Sequence, residues 1–318
     1  MSGVFALDTF DPVGSEYLRE LFPDIIEQGH PDHSSWRDLA VGLFVAKSRI
    51  TAEDIHESKR LKYIVRHGTG YDNIDAQACK QKGIILCNVP GAMNVAEVTL
   101  ALTGACAKNL VELARQMRRG DKLNKRVKSL YSAALLTGKV FGIVGGGAIG
   151  QLAAQKFVGA FDGKILLYDP YVSVDSSSLW NSIPHTRVES LEELVPLVDV
   201  LSLHVPLLPT TRNMINMSLL KTMKPTSILI NCARGGVVNE EDLWRALREG
   251  IIASAGVDAW VSEPPTKAVY GDVFDLENVV MSPHIGGSPA EVQTATCIGM
   301  CDRMREMIDG KIPRDRVA

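Results

Sequence analysis

No apolar run in this 318-residue sequence approaches the length that spans a bilayer, so a membrane is not an expected partner. A long basic block is missing too. The 34 Lys and Arg are set against 37 Asp and Glu, scattered along the chain, and the net charge of −3 offers nothing to nucleic acid. The short cluster Arg115, Arg118 and Arg119 falls in a helix-like stretch and reads as a solvated face. Cysteine is sparse: the six residues Cys79, Cys87, Cys106, Cys232, Cys297 and Cys301 form no CxxC pair and no Cys/His ligand spacing, so no metal is expected. Cys297 and Cys301 share a helix face and read as small core residues. Asp8 and Asp11 stand where a signal peptide would carry its apolar centre. Together these features predict a reduced, cytoplasmic protein. There is no internal repeat or low-complexity linker, and Ser176, Ser177 and Ser178 read as a loop.

What is present is an alternation. The length suits two domains, and short apolar runs alternate with helix-like stretches almost throughout, which predicts an α/β architecture with parallel sheets. In the first third, strands are expected at residues 4–7, 42–46, 63–65 and 84–87, with helices at 15–21, 52–58 and 74–81. Residues 94–120 then read as one long amphipathic helix, with Val95, Val98, Leu102, Cys106, Leu110, Leu113 and Met117 on one face. Its surplus apolar face is expected to bury against a second subunit. Further strands are expected at 140–144, 165–168, 200–204, 228–231, 253–257 and 279–281. Helices are expected at 191–197, 217–223, 240–249 and 290–308. Asn239, followed by Glu240, Glu241 and Asp242, is a good helix start, a capping side chain ahead of acids in the first turn.

Gly145, Gly147 and Gly150 make a G-x-G-x-x-G that is weak alone but well placed. An apolar strand precedes it, a helix follows, and Asp169 closes the next strand. The first glycine permits a tight turn, the second lets backbone approach a pyrophosphate, and the third lets the helix pack near the strand. The helix N-terminus offers amides and a favourable dipole to phosphate. A carboxylate at Asp169 suits the ribose hydroxyls and repels a 2′-phosphate, and no arginine follows in Pro170, Tyr171 and Val172. NAD is therefore expected over NADP.

Three polar residues stand in otherwise apolar or glycine-rich segments, each just after an expected strand: Arg234 in NCARGGVV, Glu263 in DAWVSEPP and His284 in MSPHIGG. In a doubly wound sheet, ligands bind at the carboxyl ends of strands, so the three can converge. Singly, each has a bland reading as a turn cap, a solvated acid or a structural histidine. Together, behind a nucleotide motif, they match what reduction of a 2-keto acid requires. His284 can donate the proton and take it back in reverse. Arg234 can hold the carboxylate or carbonyl with its planar fork. Glu263 can orient the imidazole and favour its protonated form.

The segments GGGAIG…YDP, LHVPLLPTT, INCARGGVVNEEDL, AGVDAWVSEP and SPHIGG, in this order along nearly the whole chain, resemble those of the D-isomer-specific 2-hydroxyacid dehydrogenases. HGTGYDNID and NVPGAMNVAEVTLAL are similar to that family's substrate loop and its entry into the nucleotide domain. The resemblance implies two doubly wound parallel-sheet domains: a Rossmann NAD-binding domain over 94–286, and a smaller, discontinuous, flavodoxin-like substrate domain from 1–93 and 287–318. The active site would lie in the cleft. It also implies a homodimer through the nucleotide-binding domain, hydride transfer between nicotinamide and C2 of a small 2-hydroxy or 2-keto acid, and Arg234, Glu263 and His284 as the catalytic trio. Gly145, Gly147, Ala148, Ile149, Gly150, Asp169, Val205, Cys232, Ala233, Asp258 and Gly286 would line the cofactor, with Asp258 on the carboxamide. Thr69 and Gly70 would meet the substrate carboxylate.

Two positions depart from the family pattern. Ala148 stands where many relatives carry arginine, leaving the pyrophosphate to backbone amides, and Gly287-Ser288 replaces a more usual Ser-Thr pair. The loop RHGTGYDN is most like that of phosphoglycerate dehydrogenases, where Arg66 would meet a substrate phosphate. Against that, the bland reading is that Arg66 merely pairs with a surface carboxylate, and the sequence after the last helix is expected to leave no room for the regulatory domain many of those enzymes carry. Glyoxylate, hydroxypyruvate, 3-phosphoglycerate and larger keto acids stay open. The rival from another class is an NAD(H)-sensing binding protein of the corepressor type, which would share fold and trio; formate- or phosphite-oxidising relatives are a weaker enzymatic alternative.

Overall fold

A computed structural model of the chain describes residues 3–121, 134–172, 180–313 and 316–317; the expected loop at Ser176–Ser178 lies outside them. The chain divides into two compact units, Met1–Gly91 with Gly287–Ala318, and Ala92–Gly286. No described helix is long and apolar enough to cross a membrane.

The first unit is built on a four-stranded parallel sheet in the order β1 (Val4–Ala6), β2 (Gly42–Val45), β3 (Tyr63–His67), β4 (Ile85–Val89). A bridge from Phe5 to Ile26 extends it on the far side of β1. Counting that bridge as a strand gives the flavodoxin-like order 2-1-3-4-5. Every residue of β1 and β2 is buried, as a strand covered on both faces requires. One face packs Trp36, Ile55 and Cys79 from the short helices between strands. The other packs Leu18 with Cys297, Met300, Cys301, Met304 and Met307. The two cysteines on the Ala290–Ile308 helix are thus core residues, as their spacing suggests. The Pro12–Leu21 helix starts a turn earlier than its apolar pattern predicts, because Asp11 accepts the amides of Val13 and Gly14 and Pro12 tolerates the first turn.

The second unit carries seven parallel strands in the order β11-β10-β9-β8-β5-β6-β7. They are β5 (Val140–Val144), β6 (Lys164–Tyr168), β7 (His185–Arg187), β8 (Val200–Leu203), β9 (Ile228–Asn231), β10 (Ser254–Val257) and β11 (Val279–Met281). Sequence progresses outward in both directions from the β5–β8 pair, so the topological switch point lies there, and a parallel sheet of this kind binds ligands outside the carboxyl ends at that point. Helices Ala92–Ala107 and Ala148–Phe161 cover one face through Ala96, Leu102, Ala153 and Phe157. Leu194, Leu220, Leu243 and Leu247 cover the other.

Two expectations are corrected here. The long helix over 94–120 is two helices, Ala92–Ala107 and Leu110–Arg119, parted at Asn109, whose φ of 50° is left-handed. Asparagine tolerates that conformation better than other side chains with a Cβ. The break rotates the apolar pattern, so Leu110 and Met117 are exposed while Glu112 and Gln116 are buried, and Arg115 and Arg119 pair with Glu112 instead of forming a purely solvated cluster. β7 was not expected from the sequence; His185-Thr186-Arg187 carries no apolar run because it is an edge strand with partial exposure.

Candidate active site

The glycine-rich loop follows β5. Gly145 has φ of 101°, and a Cβ there would stand 2.5 Å from the His204 carbonyl oxygen after β8, so only glycine allows the two strand ends to approach. Gly150 sits on the first turn of the Ala148–Phe161 helix, where a Cβ would strike the Gly145 carbonyl. Gly147 caps that helix with open space around its Cα, and Ala148 beside it is exposed. The first-turn amides carry no side-chain cap, which is the donor set an anionic group would use. The loop is also held from outside. The Gly146 carbonyl accepts Trp180 Nε1 at 2.7 Å and Gln151 Nε2 at 3.0 Å, while its amide donates to Asp169 at 2.7 Å. Asp169, at the end of β6, further accepts the amides of Tyr171 and Val172. The carboxylate expected at the ribose is therefore fixed beside the glycines. These residues fit a dinucleotide.

Arg234, Glu263 and His284 follow β9, β10 and β11, at the same edge of one parallel sheet. His284 Nδ1 lies 2.8 and 2.9 Å from the two oxygens of Glu263. His284 has φ of 59°, an uncommon left-handed conformation for a residue with a side chain, of the kind that clusters at functional sites. Glu263 also accepts the Trp260 amide at 3.1 Å. Burial works to raise its carboxyl, but the hydrogen bonds from His284 and Trp260 and the charges of His284 and Arg234 outweigh it and hold Glu263 below the usual carboxylate range.

Arg234 reaches this pair through loop packing. Gly235 is pressed against the Trp260 carbonyl, where a Cβ could not fit, and Gly236 takes φ of 84° to turn the chain away. Asn231 ties the same two loops: its Nδ2 donates to the Arg234 and Ala259 carbonyls at 3.1 and 3.3 Å, and its Oδ1 accepts the Ala233 amide. The Arg234 guanidinium donates to the Ala233 carbonyl at 2.8 Å.

The remaining expected cofactor positions follow the same strand ends. Val205 follows β8 close to Gly145, and Cys232 and Ala233 are buried after β9. Burial pushes the Cys232 thiol up to about 12, so it is a packing group. Asp258 is 1% exposed and accepts Ser282 Oγ at 2.7 Å, the Ile285 amide at 2.9 Å and the Gly286 amide at 3.1 Å. It thereby fixes the segment that carries His284. Ile149 lies in the first turn of its helix.

Arg66, Thr69 and Gly70 belong to the first unit, on and just after β3. The Arg66 guanidinium donates to the His67 carbonyl, and Asn88 Nδ2 donates to the Thr69 carbonyl at 2.5 Å. Residues not anticipated from sequence are Asn231, Glu240, Trp260, Tyr270, Ser282 and Trp180. Most of them act on backbone groups of neighbouring loops, Ser282 on the Asp258 carboxylate, and only Asn231, Trp260 and Ser282 carried a signal, polar or aromatic character just after an apolar strand.

A switch-point glycine loop with an acidic partner, beside an acid-paired histidine and an arginine, defines a dinucleotide-dependent hydride-transfer class of protein. Residues 100–286 match the family described as D-isomer specific 2-hydroxyacid dehydrogenase, NAD binding domain. The chain belongs to the D-isomer-specific 2-hydroxyacid dehydrogenase family, whose members act on the CH–OH group of 2-hydroxy acids with NAD. It is 37% identical to hydroxypyruvate reductase of Thermotoga maritima over 83% of this chain and 84% of that one. It is 35% identical to D-3-phosphoglycerate dehydrogenase of Methanocaldococcus jannaschii over 88% of this chain, but spans 52%, about half, of that relative's length. The structure of D-lactate dehydrogenase from Aquifex aeolicus, complexed with NAD and lactic acid, superposes with a TM-score of 0.82 at 26% identity, covering 99% of this chain and 98% of that one.

Proposed function

We propose that this chain is an NAD-dependent D-2-hydroxyacid dehydrogenase working as a reductase of a small 2-keto acid. The observation that carries the reading is the His284–Glu263 pair at 2.8 Å, set beside the Arg234 loop at the edge of the nucleotide-binding sheet. When bound, the nicotinamide supplies a hydride to C2 of the keto acid, or accepts it in reverse. With Nδ1 taken up by Glu263, His284 offers Nε2 to the substrate oxygen and delivers the proton that turns C=O into CH–OH. Glu263 holds the ring's orientation and tautomer and balances its positive charge. Arg234 grips the carboxylate and polarises the carbonyl. Arg66, Thr69 and Gly70 are proposed to contribute substrate contacts. The relatives named for phosphoglycerate and hydroxypyruvate support a three-carbon acid, phosphorylated or not.

A homodimer formed through the nucleotide-binding unit and a cytosolic site of action complete the reading. The latter is supported by the burial of all six cysteines, as expected of a reducing compartment, and cell fractionation checks it.

The test is NADH oxidation against glyoxylate, hydroxypyruvate, phosphohydroxypyruvate and branched or aromatic keto acids. One acid should stand out, and His284→Ala should lower kcat on it by about 10²- to 10⁴-fold with NADH binding kept. Near-normal turnover in that variant removes His284 from the mechanism. No turnover across the panel with NADH still bound would favour a nucleotide-sensing protein.

A further inference from the structure

The loop that carries Glu263 has an unusual arrangement of backbone donors. Three consecutive amides, at Trp260, Val261 and Ser262, are each accepted by a different side chain. Trp260 N donates to Glu263 itself at 3.1 Å. Val261 N donates to Glu240 Oε1 at 2.8 Å, and Ser262 N to Tyr270 Oη at 2.9 Å. Tyr270 Oη also donates to the Ser262 carbonyl at 3.4 Å. Loop amides facing solvent need no such partners, since water serves them equally well. A loop with all three fixed has lost the freedom to slide.

Glu240 is the first residue of the Glu240–Arg248 helix, six residues after Arg234 in the same strand-to-helix connection. A first-turn carboxylate ordinarily faces its own helix's free amides or water. Here Asn239 already caps the helix through the Asp242 amide at 3.1 Å, and Glu240 turns to the neighbouring loop. The Arg234 connection therefore grips the Glu263 loop at two points, Gly235 against the Trp260 carbonyl and Glu240 on the Val261 amide. Trp260 extends the grip to the third residue, since its Nε1 donates to the Ser282 carbonyl at 2.8 Å, two residues before His284. Tyr270 packs edge-on against the Trp260 ring at 4.9 Å.

We propose that Glu240 is a positioning residue that accepts the Val261 amide and thereby fixes Glu263, and through it His284, relative to Arg234, while Tyr270 holds the next residue, Ser262. Resting on the dehydrogenase reading, this places the determinant of the trio's geometry one layer behind the groups that touch substrate. The role is that of an acceptor oxygen, not of a charge. Burial pushes the Glu240 carboxyl above its usual range, against the hydrogen bonds it receives, so a neutral acceptor of the same shape should serve. A shift of about 1 Å in such a constellation costs on the order of 10²-fold in rate.

The experiment compares Glu240→Ala, Glu240→Gln and Tyr270→Phe in the full chain, by amide hydrogen exchange across residues 256–266 and by turnover on the best 2-keto acid. Glu240→Ala should speed exchange at Val261 by about tenfold or more and lower kcat by about tenfold, with NADH affinity unchanged. Glu240→Gln should restore both. Tyr270→Phe should speed exchange at Ser262 and leave Val261 protected. Unchanged Val261 exchange in Glu240→Ala, or a Gln variant as impaired as Ala, overturns the proposal. Should Glu240→Ala fail to fold, the Gln variant and Tyr270→Phe carry the decision by the same readings. If the native chain reduces no keto acid, the dehydrogenase reading fails while the exchange data still decide whether Glu240 fixes the loop.

Discussion

His204 shows what a single residue at the switch point costs and does. Its backbone joins the β5 and β8 ends, its amide donating to Val144 at 2.8 Å, and its Nε2 lies 2.9 Å from Ser202 Oγ. The residue keeps part of its surface, but Nδ1 is enclosed and has no hydrogen-bond partner. Burial lowers its pKa from 6.5 to about 3, so the folded state holds it neutral while the unfolded chain takes up a proton below about 6.5. A depressed histidine contributes stability that is complete above the unfolded value and is lost as pH falls from there toward the folded one. His67, lowered first by burial, has the same sign. Between pH 7.5 and 5 the native chain should lose up to about 2 kcal/mol on account of His204. His204→Gln, which keeps a polar partner for Ser202 without a titrating ring, should lose correspondingly less. Urea midpoints at the two pH values check this, and equal losses in both proteins would refute it. That Arg234, Glu263 and His284 come together at neighbouring strand ends was legible in the sequence because each is a lone polar residue after an apolar strand. Glu240 and Trp260 were not, since their work is done on the backbone amides and carbonyls of loops that only folding brings near.

At the scale of elements, the parallel strands other than β7 were legible as short apolar runs, whereas β7, the strand order and the break at Asn109 were not. Periodicity continues through Cys106, Leu110, Leu113 and Met117, so nothing in the spacing marks the left-handed residue. That break has a consequence for assembly. It leaves Leu110 60% exposed and Met117 68% exposed on the Leu110–Arg119 helix, with Val111 beside them, a surface more apolar than water favours. The sequence pattern assigned such a face to a second subunit, and the helix belongs to the nucleotide-binding unit. Sedimentation equilibrium should accordingly give twice the chain mass, and Leu110→Lys combined with Met117→Lys should shift the protein toward monomer with its secondary structure intact. A native chain that sediments as monomer at micromolar concentration would remove the dimer from the reading.

The whole molecule consists of two units that differ in how the chain builds them. The nucleotide-binding unit is one continuous segment, Ala92–Gly286. The other closes only when the Ala290–Ile308 helix returns to bury Met300, Met304 and Met307 against the sheet formed by the first strands, so its core depends on contacts across nearly the full sequence. Each unit has separate hydrophobic clusters, two per sheet and one on each face. The glycine loop and Asp169, which fit a dinucleotide, belong to the continuous unit, and so does Asp258, the residue expected at the carboxamide. Binding energy acts on the structure that makes the contacts, and a ligand at about 100 times its Kd adds about 2.7 kcal/mol to whatever unfolding releases it. Saturating NADH should therefore slow amide exchange most in β5, β6 and the Ala148–Phe161 helix, and in β10 beside Asp258. The strands β1 to β4 should change far less. The map can be read by exchange and mass spectrometry on the unmodified chain. Protection that rose equally in both sheets would contradict the assignment of the dinucleotide to the continuous unit, whereas protection confined to it would tie the glycine loop, the Asp169 carboxylate and the β10 end at Asp258 to one ligand before any substrate is known.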